Sequence, residues 1–188
     1  LIGDIMLFIQ MTGLSGAGKS TVANAAKLKL EELGYAVEII DGDEYRKSLC
    51  SDLGFSKKDR NENIRRLGFV GKVLARNGVI TFMAAINPYD EVRKELMKGD
   101  PRVKVVYVKC DIPTLCKRDP KGLYKRALLP DGDPQKINNF TGISDPYEMP
   151  ENPDFVLETM NESVDVSADK LVKYILSEIN IDGLSCYY

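Results

Sequence analysis

The sequence contains no histidine and no tryptophan. Without an imidazole there is no His-dependent triad, no His-ligated zinc and no imidazole acid–base chemistry. Proton handling falls to Asp, Glu, Lys, Tyr, Cys or bound water. Cysteine is sparse as well. Cys50, Cys110, Cys116 and Cys186 form no C-x-x-C pair, and without histidine they make a poor zinc set. They read as reduced thiols of a cytoplasmic protein. No apolar run approaches the roughly 18–20 residues of a membrane span, so no membrane partner is expected. Neither charge sign dominates. The 26 Lys+Arg face 28 Asp+Glu, a net charge of −2, which gives no reason to expect nucleic-acid binding. The apolar opening, Leu1 to Thr12, lacks a basic flank and a cleavage site and reads as buried strand, not signal peptide. The chain opens on Leu1 instead of Met, as expected of a trimmed chain or one cut from a longer polypeptide.

What is present is ordinary for a folded domain: 188 residues, 44% hydrophobic and 29% charged. The length predicts one domain over residues 1–188 that buries roughly 70% of its unfolded surface. Apolar runs alternate with helical patterns. Strands are predicted at Met6–Thr12, Val37–Ile40, Val79–Ile86, Val103–Cys110 and Phe155–Leu157. Helices are predicted at Ser20–Leu33, with Gly34 beyond its end, at Glu62–Arg76, after a capping Asp90, and at Ser167–Ile179. Nearly continuous apolar strands separated by helices predict an α/β fold with a parallel five-stranded sheet covered on both faces. From Asp111 to Pro153 the pattern breaks into Pro, Gly, Asp and Lys. A stretch that long is either a lid or binding loop or an irregular surface connection.

Gly13-Leu-Ser-Gly-Ala-Gly-Lys-Ser20 fits G-x-x-x-x-G-K-[ST] between a predicted strand and a predicted helix. Glycines let the backbone wrap phosphate oxygens with its N–H groups inward. The helix N-terminus adds its positive end. Lys19 is expected to reach the β- and γ-phosphates of ATP, and Ser20 to ligate Mg²⁺. Asp41-Gly42-Asp43 stands where the second strand should end, the edge at which parallel sheets bind ligands. One Asp would serve magnesium and the other would accept a hydroxyl proton; Asp111 is a rival magnesium carboxylate. Arg46, Arg60, Arg65 and Arg66 offer planar donors for phosphate or sulfate, although a solvated helix face would look similar. Phe55 and Phe140 are either core anchors or platforms for a purine ring.

The blocks GLSGAGKS (13–20), DGDEYR (41–46), LGFSKKDRNENIRR (53–66), INPY (86–89), KRDPKGLYKRA (117–127) and FTGISDPYEMPENPD (140–154) together resemble the adenylylsulfate kinase family. The resemblance runs from about Met6 into the last helix. It implies a P-loop kinase fold with a mobile lid at about 111–153. It also implies transfer of the γ-phosphoryl of MgATP to the 3′-hydroxyl of adenosine 5′-phosphosulfate, which forms 3′-phosphoadenosine 5′-phosphosulfate. On this resemblance Gly13, Ser15, Gly16, Ala17, Gly18, Lys19, Ser20 and Thr21 hold ATP, and Asp41 and Asp43 flank magnesium and the acceptor hydroxyl. Arg46, Arg60 and Asn63 grip the phosphosulfate, and Phe55 and Phe140 sandwich the acceptor adenine. Ile86, Asn87 and Pro88 line the acceptor pocket, next to Thr141. Lys121 is a lid lysine near the transferring phosphates, with Gly122 and Leu123 in the same segment. A homodimer is implied, and the chain is either a stand-alone enzyme or one fused to or associated with an ATP sulfurylase.

This chain departs from the pattern at Asn87, where many family members carry a serine associated with a phosphorylated form. An amide is no alcohol nucleophile, so direct in-line transfer is expected. The loop Arg126–Asn139 is longer than usual, and the tail from Asn180 to Tyr188 matches nothing interpretable. Two other readings compete. One is a P-loop kinase for another small hydroxyl acceptor, and the other is a kinase-like module that only binds the product. Intact Lys19, Ser20, Asp41 and Asp43 favour catalysis over the second.

Overall fold

The structure is a computed structural model that describes residues 6–184, with side chains through residue 179. The first residues of the expected opening strand, Cys186 and the last part of the tail lie outside the described residues. Five strands, β1 (Phe8–Thr12), β2 (Val37–Asp41), β3 (Ile80–Ala84), β4 (Val103–Lys109) and β5 (Phe155–Glu158), pair in the order β2-β3-β1-β4-β5. All four pairings are parallel. The helices are α1 (Lys19–Glu32), α2 (Gly42–Tyr45), α3 (Lys57–Arg76), α4 (Asp90–Met97), α5 (Ile112–Arg118), α6 (Leu123–Ala127) and α7 (Val164–Leu184).

The alternation of strand side chains builds two cores. Leu7, Ile9 and Met11 point into one, with Phe82, Val106 and Val108, beneath α1 and α7. Phe8 points into the other, with Ile40 and Met83, beneath α3 and α4. The central strands β1 and β3 are buried along their whole length, which is why they read as unbroken apolar runs. β3 ends two residues before the predicted Ile86 for a physical reason. The Ile86 carbonyl leaves the ladder to accept from Gly13 N–H at 3.2 Å and from Thr12 Oγ1 at 3.0 Å.

α3 starts at Lys57 instead of Glu62, because Ser56 caps it. Its hydroxyl accepts from Asp59 N–H at 3.1 Å. Asp90 does not cap α4; it is the first helical residue and pairs with Arg93 and Lys94. The 111–153 segment carries no strand, but it is not wholly irregular, since α5 and α6 lie within it. Cys50, Cys110 and Cys116 are free thiols. Among the described residues no helix is long and apolar enough to cross a membrane.

α3 approaches the sheet closely because Gly71 lacks a side chain, and approaches α4 closely because Gly68 does. A Cβ at Gly71 would overlap the Phe8 ring, and one at Gly68 would overlap Leu96. Gly71→Ala is therefore expected to cost about 1–3 kcal/mol through overpacking. A lower urea midpoint at an unchanged slope would show it, and an unchanged midpoint would contradict it.

Candidate active site

β1, β2 and β3 end at one level of the sheet: Met11 and Asp41 both stand beside Ala84. The loops leaving them therefore share one edge and frame a cleft of about 730 Å³, within the range of small-ligand sites. Ser15, Gly16, Gly18, Lys19, Ser20 and Thr21 line it from the loop after β1. Asp41 and Asp43 line it after β2, and Ile86, Asn87 and Pro88 after β3. Arg46, Phe55, Arg60, Asn63 and Lys121 complete the wall.

The loop after β1 is shaped by backbone constraints. Gly18 precedes α1 in the left-handed region at φ 97°, where glycine is unstrained. A Cβ on Gly13 would stand 2.5 Å from the Val108 carbonyl oxygen. Lys19 is buried and curls back, donating from Nζ to the Gly13 carbonyl at 2.7 Å and the Leu14 carbonyl at 2.8 Å. Ala17 is buried behind the loop. Burial lowers the Lys19 pKa to about 8; Asp43 raises it, Lys121 lowers it and Asp41 raises it again.

The two aspartates occupy different positions. Asp41 is committed on both oxygens. Its Oδ2 accepts from Ser20 Oγ at 2.6 Å, and its Oδ1 caps α2 by accepting from Asp43 N–H at 2.9 Å. Ser20 and Asp41 thus present adjacent hard oxygens, a pair that fits Mg²⁺ with water and phosphate oxygens completing its shell. Asp43 pairs with Lys121 across the mouth of the cleft. That pair is open to exchange, with side-chain exposures of 72% for Asp43 and 58% for Lys121. Asp111 is not a rival, because it caps α5 by accepting from Thr114 N–H at 2.7 Å and does not line the cleft.

The cationic wall is narrower than the sequence pattern implied. Arg65 pairs with Glu95, and Arg66 with Asp52 and Glu62, on the outer surface. Arg46 donates to the Gly54 carbonyl at 2.9 Å and stacks 4.6 Å from the Phe55 ring centre. Burial, then the charge of Arg60, lowers the pKa of Arg46. Arg60 is buried and ties α3 to Asn139 and Thr141 of the 111–153 segment. It donates to the Phe55 carbonyl at 2.9 Å, to Thr141 Oγ1 at 2.7 Å and to the Asn139 carbonyl at 2.7 Å. Asn63 is buried, and its Oδ1 has no partner.

The two phenylalanines differ. Phe55 lines the cleft and is 58% exposed. Phe140 is buried edge-on against Tyr124, with ring centres 4.9 Å apart, and is not among the lining residues. The structure therefore does not assemble them as a ring pair. Thr141 is buried behind the wall, while Gly122 caps α6 at φ 63° and Leu123 opens that helix. None of these three lines the cleft.

Sequence reasoning missed the groups that brace the phosphate loop from behind. Thr159 Oγ1 donates to the Ala17 carbonyl at 2.7 Å, and Tyr124 OH to the Ser15 carbonyl at 2.9 Å. Leu14 sits so close to Gly142 that a Cβ there would meet it at 2.6 Å. Nothing local marks Thr159 or Tyr124, since their partners lie far away in the chain.

A parallel α/β sheet with this loop, a Ser–Asp oxygen pair and a lysine at the mouth of the cleft defines a P-loop kinase. The comparisons narrow the class. Residues 6–158 match the adenylylsulphate kinase family, and the chain belongs to that family. It is 48% identical over 166 residues to the adenylyl-sulfate kinase of Chloroflexus aurantiacus, covering 88% of this chain and 87% of that protein. It is 47% identical over 164 residues to the probable bifunctional SAT/APS kinase 2 of Sorangium cellulosum, but spans only 27% of that protein's length. The solved APS kinase CysC of Mycobacterium tuberculosis, in complex with AMPPNP and APS, superposes with a TM-score of 0.83 at 37% identity. That match covers 90% of this chain and 96% of CysC.

Nucleotide phosphates beside Lys19 would stabilise its ammonium and raise its pKa above about 8. The complex then holds more protons than the free protein, so ATP affinity should fall as pH rises through 8. Calorimetry at pH 8.5 in buffers of different ionisation enthalpy is expected to show proton uptake on ATP binding. Equal heats in every buffer would contradict the lowered pKa of Lys19.

Proposed function

We propose that this chain transfers the γ-phosphoryl group of MgATP to the 3′-hydroxyl of adenosine 5′-phosphosulfate. The observation that carries the reading is the two-sided cleft. Lys19, Ser20 and Asp41 form a phosphate side, Arg46, Phe55 and Asn63 form an anion-and-base side, and Asp43 and Lys121 stand between them. Gly13–Thr21 cradles the ATP phosphates. Ser20 and Asp41 would hold Mg²⁺, which when bound neutralises phosphate charge. Asp41 is engaged on both oxygens, so Asp43 is the base. It exchanges Lys121 for the acceptor and takes the 3′-hydroxyl proton as the new P–O bond forms and the bond to ADP breaks. Lys121, released, turns to the transferring phosphoryl group.

Arg46, Arg60 and Asn63 bind the phosphosulfate, which uses the donors of Arg60 left over from its contacts with Phe55, Thr141 and Asn139. Phe55 stacks on the acceptor adenine; Phe140, packed on Tyr124, joins that ring only once the 111–153 lid rearranges. Ile86, Asn87 and Pro88 form the acceptor wall; Asn87 has no hydroxyl to phosphorylate, so transfer is direct. Closure of the lid, with Gly122, Leu123 and Thr141 moving or bracing it, excludes water. The same reading makes residues 1–188 one domain, working as a homodimer in the cytoplasm, where ATP is supplied. Association with an ATP sulfurylase would deliver the acceptor, and the bifunctional relative supports it.

Lys19→Ala and Asp43→Asn are each expected to lower kcat about a hundredfold or more while the fold is kept. Near-wild-type turnover in both, in a coupled ADP-release assay, would show the roles misassigned. Turnover of another hydroxyl acceptor, with none of adenylyl sulfate, would refute the substrate. Phe55→Ala should weaken acceptor binding roughly tenfold with little loss of stability, since the ring is exposed and a stacked base contributes about 1–3 kcal/mol.

A further inference from the structure

The acceptor wall contains a backbone conformation that does not hold itself. Asn87 has φ 47°, in the left-handed region that favours glycine. That region is disfavoured for any L side chain, although Asn tolerates it better than most. It persists only where its surroundings over-determine it.

Here they do. The Asn87 carbonyl accepts from Thr12 Oγ1 at 2.9 Å and from Arg93 Nη1 at 2.7 Å, so both its lone pairs are used. Its Nδ2 donates to Gln10 Oε1 at 3.1 Å, and Gln10 Nε2 donates to the Arg93 carbonyl at 3.1 Å. The three side chains close a buried ring around the bend.

Thr12 and Arg93 are in turn held by Tyr147 and Glu148, near the end of the 111–153 segment. Thr12 has one hydroxyl proton and directs it at the carbonyls of Ile86 and Asn87, neither of which can donate. In its 2.9 Å contact with Thr12, Tyr147 OH is therefore the donor. Arg93 is buried and reaches the same segment, donating from Nη2 to the Glu148 carbonyl at 2.7 Å. Glu148 closes the strap: its N–H donates to the Pro88 carbonyl at 2.9 Å, and its Oε2 accepts from Asp90 N–H at 2.7 Å.

We propose that Arg93 and Tyr147, which do not line the cleft, are positioning residues that lock the Ile86–Pro88 wall in its acceptor-binding shape. The inference rests on the proposed function for the identity of the acceptor, though not for the locking itself. The strap reaches the wall of the acceptor site directly; the phosphate loop meets that wall where Gly13 N–H donates to the Ile86 carbonyl, while its Ala17 and Ser15 carbonyls are held by Thr159 and Tyr124. Loss of the strap should therefore weaken the acceptor and spare ATP.

The test uses the full chain with Tyr147→Phe, Arg93→Met and Arg93→Lys. Two readouts are taken: KM for adenylyl sulfate and for ATP, and amide hydrogen exchange at Ile86, Asn87, Tyr89 and Asp90 without ligand. Tyr147→Phe should raise the acceptor KM about fivefold, as loss of one buried hydrogen bond does, leave the ATP KM within twofold, and speed exchange at those amides. Arg93→Met should do more, and Arg93→Lys should recover part of it. An equal rise in both KM values, or no change in the acceptor KM, overturns the proposal. If Arg93→Met does not fold, Tyr147→Phe decides. If the wild-type protein turns over no adenylyl sulfate, the functional reading fails, yet exchange still decides the strap: unchanged protection in Tyr147→Phe overturns it, and faster exchange upholds it.

Discussion

The site depends on one constraint: three parallel strands end at the same height. Met11, Ala84 and Asp41 are register neighbours across β1, β3 and β2. Each strand must release its chain at that edge, so the phosphate loop, the acidic turn and the Asn87 bend become walls of one cleft. Parallel pairing also requires crossover helices, and these carry α1 to one face and α3 to the other. A slip of one residue in β2 would move Asp41 off Ser20 and turn Ile40 out of its core.

Within that frame the charged groups hold one another. Lys19 is buried against two carbonyls of its own loop, Ser20 is bonded to Asp41, and Lys121 rests on Asp43. The site without substrates is thus paired with itself. The contacts differ in how readily they give way. The Asp43–Lys121 pair is exposed, so substrates and solvent compete for it at little cost. The Ser20–Asp41 bond is anchored by the cap on α2. This asymmetry separates two carboxylates that look alike in a D-G-D turn.

Much of the site was legible in the chain. G-x-x-x-x-G-K-S after an apolar run carries its own geometry, because glycines, helix start and lysine are local in sequence. The strand–helix alternation was legible for the same reason: burial on both faces writes an unbroken apolar run. Ser56 caps α3 through a local Ser-x-x-Asp signal, so the helix begins more than a turn before the apolar periodicity does at Glu62. Arg65 and Arg66 looked like Arg60, since spacing along a helix does not say which side meets the cleft. Phe140 looked like Phe55, yet one is packed on Tyr124 and the other faces solvent.

The sequence by itself determined the chemistry on offer. The absence of histidine left carboxylates, lysines and arginines to do the work, and the motif blocks named the family. The tertiary structure alone decided how those groups are shared out. It assigned Asp41 to Ser20 and left Asp43 at the mouth, turned Asp111 into a helix cap, and set Thr12, Arg93 and Tyr147 around Asn87. Those partners are separated by long stretches of chain. Hydrogen bonds and burial between them depend on sheet register and helix packing, which no local pattern encodes.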